Sequence, residues 1–316
     1  MNAVRIALLA LMASLAQYAA AQADVLDAKL PPQAWSKTIG SERVEKYGSG
    51  TPALILIPGL ASGPWSWRDV IAREAPAHTV YALTLAGFDG VPPGDGATLD
   101  GAESAIVELI GQEHLDRPVV VGHSLGGTLA LRFGIDHPAS ARAIVAVDGT
   151  PVFPALAEAS PDQRAAAAQQ FYTTVATSSP ADYAQSEARF VADYVTDQTL
   201  AAKVAALALR SDQKAVAEYG KELYLIDLRP QLGKLTVPVA EILPIPSLPL
   251  PTYMPEVMAQ LPAADRRNLT IGFYQSLFAG ATTVKFLPVD DSRHFVMLDQ
   301  PAAFAATLDG FLTTLK

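Results

Sequence analysis

The chain has 316 residues, half of them hydrophobic and 17% charged, with a formal net charge of −9 and no cysteine. That size and polarity suffice to bury one large core with room for an insertion. The acidic balance excludes the basic surface that a nucleic-acid partner needs, and the lack of cysteine excludes disulfides, thiolate metal sites and a Cys nucleophile.

The first segment has the pattern of an export signal. Arg5 carries the one positive charge, residues 6–16 are apolar, and Ala21-Gln22-Ala23 fits a small-x-small cleavage site. Cleavage after Ala23 is expected, which implies a periplasmic or secreted protein; an uncleaved N-terminal anchor is the alternative. The apolar run is short for a bilayer span, and no other stretch reads as one.

Residues 53–57 form an apolar run that stops at Pro58-Gly59-Leu60, a buried strand followed by a loop, and Trp65 and Trp67 come next. Residues 79–85 form a second such run. Residues 99–111 have helical spacing, with Ile106, Leu109 and Ile110 on one face. Residues 118–121 predict a third strand and 128–134 a helix. Residues 143–147 predict a fourth strand, ended by Asp148-Gly149. Strands alternating with helices imply a mostly parallel sheet covered on both faces.

Between the third strand and its helix stands Gly122-His123-Ser124-Leu125-Gly126-Gly127. A turn this sharp strains the Ser backbone and leaves no room for bulky neighbours, so glycines two residues either side of Ser124 make space. The hydroxyl then projects above the sheet edge, where the N–H groups opening the next helix also point. The plainer reading is a tight turn alone.

From Pro151 to about Lys234 the texture changes to Ala-rich and helical, with short helices predicted at 165–174, 183–194 and 200–209 and no strand. This block reads as a cap over 151–236, inserted after the strand ending at Asp148, between core parts 24–150 and 237–316. Strands return at 237–243 and 283–289, with helices near 266–278 and 302–315. Prolines 244, 246, 249, 251 and 255 make the segment between them a stiff loop, and residues 248–253 offer an apolar wall.

Taken together, the strand–Gly-x-Ser-x-Gly–helix context and the order of elements resemble the α/β-hydrolase superfamily over nearly all of the chain beyond the signal. The resemblance implies that Ser124 is a nucleophile and that the Leu125 and Leu60 N–H groups form an oxyanion hole, with Pro58 where a His is common. It also implies a base on a loop after the last strand, and Asp291-Ser292-Arg293-His294-Phe295 stands there. The run from His294 to Pro301 resembles the family's closing motif. His123 reads as packing, and His78, His114 and His137 as solvated.

The acid partner departs from the family pattern. It most often follows the penultimate strand, yet Ile242-Leu243-Pro244 carries none. Asp148 and Asp265 both remain open. Dehalogenase-like members place the acid where Asp148 lies, which favours it; Asp265 also suits a helix cap. Asp290 and Asp291 are too near His294 in sequence for easy geometry.

The expected function is a serine hydrolase cleaving carboxylic esters through an acyl-enzyme. A lactonase, thioesterase, amidase or carbon–carbon hydrolase would use the same groups. A reading of another class is a cofactor-free lyase or a non-catalytic binding protein, and whether Asp148 reaches His294 discriminates. Ser124 argues against dehalogenase or epoxide hydrolase chemistry, which uses an Asp nucleophile on this fold. Neither metal-ligand spacing nor a Walker or dinucleotide motif occurs, so no cofactor is expected. The expected partner is a small molecule with an apolar or aromatic acyl group, and Trp65, Phe153 and Tyr253 are candidates for its pocket.

Overall fold

A computed structural model describes residues 25–94, 96–247 and 261–315. The export signal expected at 1–23, the apolar wall at 248–253 and with it Tyr253 lie outside the described residues.

The strands are β1 (Gln33–Ile39), β2 (Glu42–Tyr47), β3 (Leu54–Ile57), β4 (Val80–Thr84), β5 (Val119–His123), β6 (Ala143–Val147), β7 (Val239–Ile245) and β8 (Val284–Asp290). They form one sheet in the order β1-β2-β4-β3-β5-β6-β7-β8. Pairing is antiparallel from β1 to β2 and from β2 to β4, and parallel across the rest. The mostly parallel sheet is as expected; the β1–β2 hairpin was not foreseen. Its strands carry polar residues on an edge, with β1 largely exposed, so they lack the apolar runs that marked the inner strands.

The helices beside the sheet are α1 (Arg68–Glu74), α2 (Leu99–Gln112) and α3 (Leu125–Asp136). Alternation along each strand sends successive side chains to opposite faces. Thus Val120 joins Ile55, Ile57 and Ile144 under α2 and α3, while Val119 and Val121 join Leu54, Leu56 and Val145 on the other face. The four residues of β3 and the five of β5 are all buried, which is why they read as continuous apolar runs.

The block between β6 and β7 contains four helices: α4 (Pro161–Thr177), α5 (Pro180–Tyr194), α6 (Gln198–Ala208) and α7 (Gln213–Leu225). Apolar spacing missed the fourth and started the first two late. The start signals are polar. Ser160, Ser179, Asp197 and Asp212 each accept a hydrogen bond from a backbone N–H in the first turn, and Pro161 and Pro180 follow the serines directly. Beyond β7 lie α8 (Ala263–Leu277), the single turn α9 (Val296–Asp299) and α10 (Pro301–Thr313).

Candidate active site

β5 ends at His123 and α3 begins at Leu125, so Ser124 alone makes the turn. Its backbone has φ 53° and ψ −118°, a sparsely populated conformation for a residue with a Cβ. The turn is held by the Ser124 N–H donating to Val147 O at 2.9 Å and by the Thr128 N–H donating to Ser124 O at 3.0 Å. The glycines are needed at close quarters. A Cβ on Gly122 would lie 2.0 Å from Gly126 O, and one on Gly126 would lie 2.5 Å from both Ile57 O and Pro58 O. The helix expected from residue 128 therefore starts three residues earlier, directly after Ser124.

Leu125 occupies the first position of α3, where a backbone N–H has no intrahelical acceptor. The Pro58-Gly59-Leu60 loop comes against the same turn. A Cβ on Gly59 would be 3.3 Å from Ser124 Cβ and 2.8 Å from His123 Nδ1. The two backbone segments expected to supply oxyanion donors thus flank Ser124.

His294 follows β8 on a short loop. Its Nδ1 is 2.5 Å from Asp148 Oδ2, across 146 residues of sequence. Asp148 lies just beyond β6, its N–H donating to Ile242 O at 2.9 Å. With φ 47° it is also the turn residue that its place before Gly149 suggested. Asp265 sits in the first turn of α8, behind Pro262 at the cap position, and it is Asp148 that meets His294. β7 runs on through Pro244 to Ile245, past the point where the sequence suggested it ends.

His123 is buried, and its Nε2 lies 3.0 Å from His294 O. A carbonyl can only accept, so Nε2 carries the proton. Burial and the neighbouring His294 hold the ring well below the usual histidine range, so it is neutral. Its ring packs at 4.6 Å from that of His294. Packing was the expected role, and the bond to the His294 backbone adds to it.

The His294 loop is fastened to the end of α5. Buried Asp299 accepts the Arg293 N–H at 2.7 Å and the Thr196 N–H at 2.8 Å. Arg293 Nη1 donates to Ala192 O at 3.0 Å and to Val195 O at 3.2 Å. Tyr194 sets its ring edge-on to His294 at 4.8 Å and stacks on Phe190 at 4.0 Å.

Trp65 stacks on Phe295, the neighbour of His294, at 6.4 Å. Phe153 joins Tyr224 and Phe171, at 4.3 Å and 4.9 Å between successive rings, and is partly buried against the core. Sequence reasoning missed Tyr194, which the tertiary fold brings to His294. It also missed Tyr274 of α8, whose hydroxyl donates to Asp148 Oδ1. Thr270, Tyr274 and Leu277 form the buried stripe of that helix, a spacing legible in the sequence although the phenol's partner was not. Among the described residues no group of three or more His, Asp or Glu could hold a metal ion, and no helix is long and apolar enough to cross a membrane.

Comparison with known proteins places this geometry in context. An enol-lactonase from Burkholderia xenovorans is similar in structure, with a TM-score of 0.68 and 15% identity over 88% of this chain and all of that one. A thermophilic esterase from Thermogutta terrifontis gives 0.69 and 16% over 89% of this chain and 99% of that one. A bromoperoxidase from Bacillus anthracis gives 0.67 and 16% over 90% and 99%. At such identities the likeness is one of fold. In sequence, an uncharacterized protein of Mycobacterium tuberculosis is 29% identical over 110 residues, 34% of this chain. The matched stretch spans about a third (32%) of that relative's length. The family model described as "Alpha/beta hydrolase family" matches residues 54–307, from β3 to α10 and thus most of the described chain. The chain belongs to the alpha/beta hydrolase family.

Proposed function

We propose that this hydrolase cleaves carboxylic esters through an acyl-enzyme on Ser124, with His294 as base and Asp148 as its acid partner. The observation that carries the reading is the 2.5 Å contact between His294 Nδ1 and Asp148 Oδ2, on a loop beside the strained Ser124 turn. Nδ1 bonded to a carboxylate leaves Nε2 as the nitrogen that exchanges protons.

In the first half-reaction His294 Nε2 takes the Ser124 hydroxyl proton as the oxygen attacks the ester carbonyl. The Leu60 and Leu125 N–H groups stabilise the tetrahedral oxyanion. His294 returns the proton to the leaving alcohol, and Ser124 holds the acyl group. Water then gives its proton to His294 and attacks the acyl carbonyl. Collapse of the second tetrahedral intermediate restores Ser124–OH and releases the acid. Asp148 holds the imidazole and stabilises its charged form throughout.

The rings of Tyr194 and Phe295 set edge-on to His294, with Trp65 stacked on Phe295, support an uncharged acyl or aromatic substrate. A ring-opening lactonase would use the same steps, and the structural likeness to an enol-lactonase keeps that substrate class beside simple esters. The export pattern at 1–23 supports action in the periplasm or outside the cell.

The test is mass spectrometry after fluorophosphonate treatment, with a short p-nitrophenyl ester assayed alongside. One adduct on Ser124 with loss of esterase activity is expected, and Ser124→Ala should abolish both while the chain stays folded. Hydrolysis retained by that variant would remove the nucleophile. No adduct and no hydrolysis would favour a lyase or a binding protein on this fold.

A further inference from the structure

Behind the His294–Asp148 pair lies a buried polar cluster for which ester hydrolysis, as written above, has no use. β7 sends Glu241, Leu243 and Ile245 to one face, and Tyr274 of α8 packs there against Leu243 and Ile245. The Tyr274 hydroxyl reaches past them to Asp148 Oδ1 and donates to it, so the two oxygens of Asp148 are divided between Tyr274 and His294. Tyr274 and Asp148 are both buried, at 7% and 9% exposure.

Glu241 lies on the same face, wholly buried. Its register partner in β6 is Ala146, two residues before Asp148. Neither carboxyl oxygen has a well-formed hydrogen bond among the described residues. Burial raises its pKa well above the usual range and the Asp148 charge adds to this, while the Gly149 N–H pulls weakly the other way. The same two causes, burial first and then Asp148, raise the Tyr274 phenol, so it keeps its proton and acts as donor.

An Asp side chain on a turn beyond a strand has torsional freedom to spare, and one contact with an imidazole does not set its plane. We propose that Tyr274 is a positioning residue: its hydrogen bond to Oδ1 fixes the Asp148 carboxylate so that Oδ2 faces His294 Nδ1. Tyr274 comes from a helix packed on β7 and β8, and its hydroxyl bonds to Asp148 rather than to His294 or Ser124. It acts on the reaction only through Asp148. The inference rests on the triad reading above.

The experiment is a double-mutant cycle on the full chain, with ester hydrolysis rates normalised to Ser124 sites titrated by fluorophosphonate. A hydrogen bond to a charged group is worth roughly ten- to a hundredfold in a rate it controls. Tyr274→Phe should therefore lower kcat by about tenfold or more with KM little changed. In an Asp148→Asn background the same substitution should cost less than about twofold, because the group it orients is gone. Equal losses in both backgrounds would make Tyr274 a packing residue and overturn the proposal, as would a wild-type kcat in Tyr274→Phe. If Tyr274→Phe does not fold, 3-fluorotyrosine placed at position 274 keeps the shape and sharpens the phenol's acidity. A kcat unchanged by that replacement overturns the proposal. Failure of the triad reading looks different: Ser124 stays unlabelled, or Asp148→Asn alone retains full activity.

Discussion

Asp148 does two jobs that usually compete. It turns the chain at positive φ after β6, and it presents one oxygen to His294 and the other to Tyr274. Substituting the amide keeps the shape and removes the charge. An Asn in this position can offer an N–H where His294 needs an acceptor, and it no longer stabilises an imidazolium. Asp148→Asn is expected to lower kcat by about 10⁴, the scale seen for the matching change in a serine-protease triad, at nearly unchanged stability. Steady-state kinetics with a p-nitrophenyl ester checks this, and a rate near wild type would remove Asp148 as the acid. At this scale the Ser124 turn and the loop that carries His294 were legible as candidates from motif and context, because glycines two residues either side of a Ser after a buried strand mark a close strand–helix turn. Tyr274 was not legible, since its contact depends on a helix more than a hundred residues from Asp148 packing on β7 and β8.

Among the elements, the crossing of α3 over the end of β6 sets the Ser124–Asp148 relation. Gly127 of α3 and Gly149 beyond β6 approach backbone to backbone, and a Cβ on Gly127 would fall 2.7 Å from Gly149 Cα. Thr128 Oγ1 reinforces the crossing by donating to Thr150 O at 2.9 Å. Gly127→Ala has no flexible side chain to push aside. It should cost about 1–3 kcal/mol or more in urea unfolding, as overpacking does. Gly272 in exposed α8 has nothing within 4 Å of its would-be Cβ. Gly272→Ala should instead stabilise by about 0.5–1 kcal/mol, through helix propensity and a less flexible unfolded chain. If both substitutions shift the midpoint alike, the crossing is not the constraint. Element types were legible wherever apolar runs were long. The starts of the helices between β6 and β7 were legible too, but in their Ser and Asp N-caps rather than in hydrophobic spacing.

Across the whole molecule, burial of acids gives the fold a pH dependence. Glu42, Glu74 and Glu103 are pushed from the usual 4.5 up to about 7, chiefly by burial. Their folded pKa values exceed the unfolded ones, so the native state binds more protons between about pH 4.5 and 7. Stability therefore falls as pH rises through that window. Glu113 and Asp227 are drawn down, Glu113 by Lys46, Tyr81 and Lys37, Asp227 by Arg229 and Arg164; their contribution is lost as the pH falls below the carboxylate range. The thermal midpoint should peak near pH 5 and decline toward pH 7.5. Glu42→Gln, which keeps an acceptor for the Ala86 N–H now bonded at 2.5 Å, should flatten part of that decline. A midpoint that rises from pH 5 to 7.5, or a Gln variant with the full slope, would show that Glu42 does not titrate there.

The sequence by itself determined the strand–Ser–helix turn, the parallel inner sheet and the helical block after Asp148. Each follows from local rules: apolar runs bury strands, glycines permit close turns, and helical spacing marks a one-sided face. Tertiary structure decided the rest. Asp148 was favoured on paper only by a resemblance, with Asp265 left open, and it is the pairing of β6 with β7 and of β7 with β8 that sets Asp148 beside His294. The edge hairpin was hidden because exposed strands need no apolar run. The pairing of Tyr274 with Asp148 and the burial of Glu241 between β6 and β8 are long-range contacts, and no local pattern encodes a partner that distant in sequence.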